Sequence, residues 1–323
     1  MRRLRLVPET TNINFFRWAG VTFGGSVVVA VLSVLMFFAM GLNYGIDFTG
    51  GTSIRTESTQ GVDVGAYRAA LEPLGLGDVV ISEVFDPTFD DDENVASIRV
   101  QNQGGEGSIA ASTLAEIESA LVAVDPELQI TSTESVSGKV SNELIWTAVL
   151  AVTGAMAAIC FYIWLRFEWQ FAVGALVALL HDVLITIGVF SLLQLRFDLS
   201  IIAALLTIVG YSINDTVVVF DRARENLRKY KEMPLIDVLN LSANETLSRT
   251  VMTSGTTLIA LIALLVLGGD VIRGFVFAIT FGIVIGTYSS IYVAKNIVLM
   301  LGVKRDWSKA AATAGGKYAD IDA

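Results

Sequence analysis

Six apolar runs punctuate the chain, at residues 19–41, 143–165, 169–194, 199–220, 250–268 and 274–301. At 1.5 Å per residue each is long enough to cross a hydrocarbon core about 30 Å thick, so each predicts a membrane-spanning helix. Between the first and second runs the pattern changes. Residues 44–140 are polar and their apolar positions alternate between two periods: Thr52–Glu57 reads as a strand, Val64, Tyr67, Leu71 and Leu74 mark one face of a helix, and Val79–Phe85 reads as a strand. Val95–Val100 alternates again, Ile109, Leu114, Ile117, Leu121 and Val124 mark a second helix, and Leu128–Val136 closes as a strand. The order βαββαβ predicts a ferredoxin-like sandwich, an α+β unit inserted into an α-helical polytopic membrane protein. That fold hosts many activities and names none.

Residues 221–249, between the fourth and fifth runs, begin with a basic stretch ending near Tyr230. After Pro234, Leu235, Ile236, Val238, Leu239 and Leu241 recur at helical spacing, which predicts amphipathic helices lying on the membrane face. Composition agrees with a membrane protein: 53% of residues are hydrophobic and the mean hydropathy is +0.62. The net charge of −10 resides mostly in residues 44–140, so it describes that domain, and nucleic acid is not an expected partner.

Basic residues set the expected orientation. Arg2, Arg3, Arg5 and Arg17 precede the first span, Arg222, Arg224, Arg228, Lys229 and Lys231 follow the fourth, and Lys304, Arg305 and Lys309 follow the sixth. Residues 1–18, 221–249 and 302–323 are therefore expected in the cytoplasm and residues 44–140 outside, where the short loops offer only Arg196 and Arg273. The first run reads as an uncleaved signal anchor. The single Cys160 excludes an intramolecular disulfide, and one Cys with one His are too few for a zinc site. The acidic loop Asp86–Glu93 lacks the glycine and terminal glutamate spacing of an EF-hand and reads as a solvated hairpin loop. With the only histidine, His181, inside the third span, the polar domain has no nucleophile and base pair, so no enzyme, metal or cofactor is expected.

Asp215 is the first functional candidate, because an ionised carboxylate in hydrocarbon costs about 2.5 to 3.5 kcal/mol on insertion scales. On a helix Ser212, Asp215, Thr216 and Val219 share one face, with Asn214 adjoining. Such a face serves equally as a polar clasp between helices or as an ion pathway. Span five opens with Arg249, Thr253 and Thr257 along one stripe, and Arg249 enters on the side where span four carries Asp215. It reads either as a snorkelling arginine or as the partner of Asp215. His181 and Asp182 point in different directions round span three, so only one faces the Asp215 surface; His181 is a structural hydrogen-bonding group or a titrating one. Ala278, Gly282, Gly286 and Ser290 form a small-residue stripe that lets another backbone pack closely.

These residues resemble the SecF family, the smaller subunits of the bacterial SecDF protein-export complex within the RND transporter superfamily. The likeness is carried by Gly45-Ile-Asp-Phe-Thr-Gly-Gly51, by Ser212-Ile-Asn-Asp-Thr-Val-Val-Val-Phe-Asp-Arg-Ala-Arg-Glu-Asn226, by Leu247-Ser-Arg-Thr250 through Thr257, and by Arg273-Gly-Phe to Gly286-Thr-Tyr-Ser-Ser-Ile-Tyr-Val293. The companion SecD subunits share the architecture but carry a different fourth-span motif. The resemblance implies an RND-type half in the bacterial inner membrane that pairs with SecD as a pseudo-symmetric partner. It further implies use of the proton-motive force to assist late preprotein translocation through SecYEG, amid other translocase subunits and membrane lipids. Asp215 and Arg249 match the family's proton-pathway acid and arginine. Gly45, Gly50 and Gly51 suit a sharp turn from helix to strand, where positive φ favours glycine, and Asp47 is expected to cap or brace that junction. Two other roles fit the same residues: a scaffold subunit with a static Asp215–Arg249 pair, and half of an exporter of small molecules or lipids. The latter usually needs a larger external domain to build its conduit.

Overall fold

The computed structural model describes residues 8, 11–77, 79–84, 86, 89–90, 93–100 and 109–303. Arg2, Arg3, Arg5, Lys304, Arg305, Lys309 and part of the loop Asp86–Glu93, which entered the sequence reading above, lie outside them. Among the described residues six helical segments are long and apolar enough to cross a membrane: Ala19–Met40, Asn142–Arg166, Trp169–Leu192, Leu199–Lys229, Leu235–Leu267 and Val271–Leu301.

The first of these is α1 (Ala19–Met40). A short strand β1 (Asn43–Tyr44) and a single turn α2 (Ile46–Thr49) lead into the polar domain. There β2 (Gly51–Ser58), α3 (Val64–Leu71), β3 (Val79–Val84), β4 (Asn94–Val100), α4 (Ala111–Val124) and β5 (Gln129–Val136) follow in the expected order. The strands form an antiparallel sheet in the order β3-β4-β2-β5. Inward positions alternate along β2, where Thr52, Ile54, Thr56 and Ser58 are buried. Ile54, Ile81 and Ile98 pack beneath Tyr67 and Leu71 of α3 and Ile117 and Leu121 of α4, so both helices cover one face.

The chain returns through α5 (Gly138–Arg166) and α6 (Trp169–Leu192), then a second short strand β6 (Arg196–Phe197). Next come α7 (Leu199–Lys229) and α8 (Leu235–Leu267). The last span is α9 (Asp270–Ser289), a π-helical turn at Ser290–Ala294, and α10 (Lys295–Leu301). Helix α6 is the hub, buried over most of its length, whereas α1, α5 and α8 present most of their apolar surface outward. Phe38, Trp146, Leu165, Ile259 and Leu267 are exposed, as lipid-facing side chains of a spanning bundle are. Small residues let the helices close in: a Cβ on Gly188 would lie 2.3 Å from the Ser33 Cβ on α1, and one on Gly282 would lie 2.3 Å from Ile208 on α7.

Residues 221–249 are not separate helices lying on a face. Helix α7 continues to Lys229, a turn at 230–234 reverses the chain, and α8 runs unbroken from Leu235 into the fifth span. The apolar positions that suggested a surface helix, chiefly Val238 and Leu239, are buried with Ala223 and Leu227 of α7. Asn226 binds the Ser242 hydroxyl across the hairpin at 3.0 Å. An apolar stripe alone does not say whether lipid or another helix will cover it.

The glycine-rich junction braces the polar domain against the bundle. Strands β1 and β6 pair in parallel, and the Gly45 N–H donates to the Phe197 carbonyl at 2.8 Å. Asp47 Oδ2 accepts from the Leu199 N–H at 3.0 Å, satisfying one of the free donors at the start of α7, while Asp198 accepts from the Ser200 N–H. Gly50 (φ +69°) and Gly51 (φ +128°) occupy conformations that favour glycine. Gly45 does not: its φ is −72°, and it is confined by proximity, since a Cβ there would lie 3.1 Å from that of Asp198.

Candidate functional site

The polar face of α7 lies buried where α6, α8 and α9 meet it. Ser212, Asp215 and Thr216 are each almost completely covered, and Val219 continues the face as an apolar residue. Asp215 Oδ2 accepts from the Ser254 hydroxyl of α8 at 3.4 Å, and Ser254 in turn bonds Thr287 of α9 at 2.7 Å. Thr216 turns its hydroxyl back to the Ser212 carbonyl at 3.2 Å. Asn214 lies outside this face and is exposed.

A second carboxylate sits one helical turn away along the same seam. Asp182 of α6 is fully buried, and its Oδ2 accepts from Ser212 of α7 at 2.6 Å and from Ser289 of α9 at 2.8 Å. Its Oδ1 lies 2.9 Å from Nδ1 of His181. The His181 ring faces the other way and stacks on Tyr288, with centroids 6.3 Å apart. Tyr288 donates to the Thr22 carbonyl of α1 and lies 3.0 Å from Ser26 Oγ. Of the neighbouring pair, Asp182 is thus the one that faces α7.

Arg249 lies on the exposed side of α8 and lines a cavity of about 520 Å³ with Tyr162, Arg166, Asp221, Arg222 and Glu245. Across its mouth Arg222 binds Glu245 at 2.7 Å and Glu225 at 2.6 Å. Among the described residues no ion pair joins Asp215 to Arg249; the carboxylate rests on Ser254. Thr253 donates to the Arg249 carbonyl at 3.1 Å, and Thr257 accepts from the Tyr211 hydroxyl at 3.3 Å, so this stripe braces α8 along its length and against α7. The small stripe of α9 follows α7: Gly282 abuts Ile208, and a Cβ on Gly286 would lie 3.0 Å from the Ser212 Cβ. Ala278 and Ser290 are fully buried, Ser290 bonding the Thr287 carbonyl at 3.0 Å.

The residues that seat the two carboxylates, Ser254, Thr287 and Ser289, escaped the sequence reading. Their signal was present as hydroxyls one position away from the stripes considered, Ser254 beside Thr253 and Ser289 beside Ser290. The finished seam has two acids, one imidazole and a set of hydroxyls buried beside an open cavity. It can bind and release protons, and because its partners belong to four helices, a change of charge there acts on their packing.

Comparison with known proteins gives the family of the chain. Residues 116–304, more than half of the chain, match the family described as protein export membrane protein SecD/SecF, C-terminal, and residues 36–62 match the SecD/SecF GG motif. The chain is 64% identical over 321 residues to the protein translocase subunit SecF of Cereibacter sphaeroides, covering 99% of each. It is 40% identical to that of Vibrio alginolyticus, covering 94% of each. The crystal structure of SecDF from Thermus thermophilus, described as a translocon-associated membrane protein, superposes with a TM-score of 0.82 at 38% identity. That match covers 92% of this chain and 39% of the longer SecDF chain. A SecDF structure in the super-membrane-facing form gives a TM-score of 0.68. With its glycine junction and near full-length relatives agreeing, the chain belongs to the SecF family of protein translocase subunits, multi-pass transport components of the bacterial inner membrane.

Proposed function

We propose that this chain pairs with a SecD subunit and uses proton movement through the Asp215 seam to assist the late stage of preprotein translocation at SecYEG. It works as a transport component and not as an enzyme. The observation that carries this reading is the seating of Asp215: a carboxylate in a spanning helix, held by the Ser254 hydroxyl and not by a cation. A static salt bridge would have fixed its charge. A carboxylate on a neutral hydroxyl keeps proton uptake open, and Arg249 at the nearby cavity supplies a charge whose approach favours the ionised form. Movement of Arg249 between cavity and carboxylate then loads and releases the proton.

Each proton crossing the membrane potential provides about 2.3 kcal/mol per 100 mV, enough to bias a conformational equilibrium but not to pull a chain in one stroke. Repeated cycles are needed. The basic residues at 222–231 support a cytoplasmic hairpin, with both termini on that side, and the acidic domain at 44–140 in the periplasm.

The test is proton flux per assembled complex in vesicles. Asp215→Asn keeps shape and hydrogen bonding but cannot titrate, so it is expected to abolish flux and proton-driven export while SecD still co-purifies. Wild-type flux from that variant would leave the scaffold reading standing instead.

A further inference from the structure

We propose that the His181–Asp182 pair of α6 is a second proton-binding site, and that its occupancy sets how tightly α6 holds α7 and α9. Three observations carry this. Asp182 is fully buried, and among the described residues its one titratable hydrogen-bond partner is the His181 imidazole, whose Nδ1 lies 2.9 Å from Oδ1. Nε2 of the same ring is buried without a hydrogen-bond partner, an open lone pair once Nδ1 carries the hydrogen shared with Asp182. The other carboxylate oxygen, Oδ2, accepts from hydroxyls on two neighbouring helices, Ser212 of α7 at 2.6 Å and Ser289 of α9 at 2.8 Å.

The step balances as a transfer of one proton. Water-borne proton adds to Nε2, the Nδ1 hydrogen passes to Asp182 Oδ1, and the ring stays neutral with its hydrogen moved from one nitrogen to the other. The pair gains one positive charge and Asp182 becomes a neutral acid. Hydroxyl donors bind an ionised carboxylate about twice as strongly as a neutral group. Protonation therefore loosens α7 and α9 from α6 at once, at the level of α7 where Asp215 follows Ser212 by one turn. Among the described residues, the titratable groups on this side are Tyr288, stacked on the ring from α9, Tyr292 stacked on Tyr288 in turn, and Asp215 one turn beyond Ser212; Lys295 lies further along the last span. Helix α1 brings hydroxyls to this side, and the charged residues of α5, Lys139, Glu143 and Arg166, lie in its first two turns and its last. The site rests on the proton-driven reading only for its link to transport.

His181 is the only histidine in the chain, so ring nitrogen labelling of this subunit, untagged and assembled with an unlabelled partner, reports this site alone. The expected result is a pH-dependent change of its nitrogen signals in the assembled complex. Asp182→Asn removes the negative charge and should move that titration to lower pH by a tenfold or greater loss of proton affinity. Should that variant fail to assemble, Ser289→Ala keeps the carboxylate, removes a donor that favours its ionised form, and should move the titration to higher pH. A ring that never changes state, or a titration that neither variant moves, overturns the proposal. Proton flux with a silent ring overturns this site alone; a titrating ring without proton flux overturns the transport reading and leaves the site standing.

Discussion

Asp47 acts on a helix to which it does not belong. Its carboxylate reaches from α2 to the first free N–H of α7, beside the cap that Asp198 already provides. Asp47→Ala should therefore lower stability by about 1 kcal/mol, the usual worth of a capping side chain, and Asp47→Asn should retain most of it. Thermal unfolding of the purified complex measures both. At this scale the sequence was legible wherever one residue broke a pattern. Asp215 stood out because nothing else from Leu199 to Phe220 is charged. Ser254 and Ser289 did not, since serine is ordinary in a spanning helix and only the rotation of α8 and α9 against α7 decides which hydroxyl meets the acid. Arg249 illustrates the same limit: entering on the correct side, it was free to bond Asp215 or stand in the cavity, and here it stands in the cavity.

Among the elements, the contact of α7 with α9 depends on the absence of a side chain at Gly282. Gly282→Val places atoms inside the Ile208 side chain, and overpacking of this kind costs about 1 to 3 kcal/mol or separates the helices. Gly25→Ala, where nothing lies within 4 Å, is the matched control and should be neutral or slightly stabilising in the same unfolding assay. The polar domain offers a pH test. Tyr67 donates to Asp125 at 3.1 Å with both groups buried, and burial, then the Asp125 charge, pushes its phenol from 10.0 up to about 12. The folded state thus holds this proton more tightly than the unfolded chain does. Its contribution to stability is complete below about pH 10 and declines as the pH rises toward 12. Residues 50–137 expressed alone should fold and lose stability over that interval, and Tyr67→Phe should flatten the decline while lowering stability at neutral pH through the orphaned acceptor. The periods of this domain were readable because elements such as β2, β4, α3 and α4 each bury one side and leave the other more exposed, whereas the edge strand β5 is largely exposed. The hairpin of α7 and α8 was not, because the stripe at Val238 and Leu239 is covered by a helix the sequence does not point to.

For the whole molecule, the orientation assigned above predicts opposite behaviour of topology reporters fused at Gln60 and at Lys231. Periplasmic activity should appear from the first only, and activity from both would discard the six-span map. The feature with the widest reach is the length of α7. Its 31 residues make a rod about 46 Å long, anchored at its first turn by the Asp47 cap and joined at its other end to the hairpin at residues 230–234. Asp215 falls near its midpoint. A charge altered there acts at the fulcrum of a lever: a tilt of about 10° swings each end by about 4 Å in opposite directions. The polar domain, clamped to one arm through the glycine junction, would then be rocked without any moving part of its own.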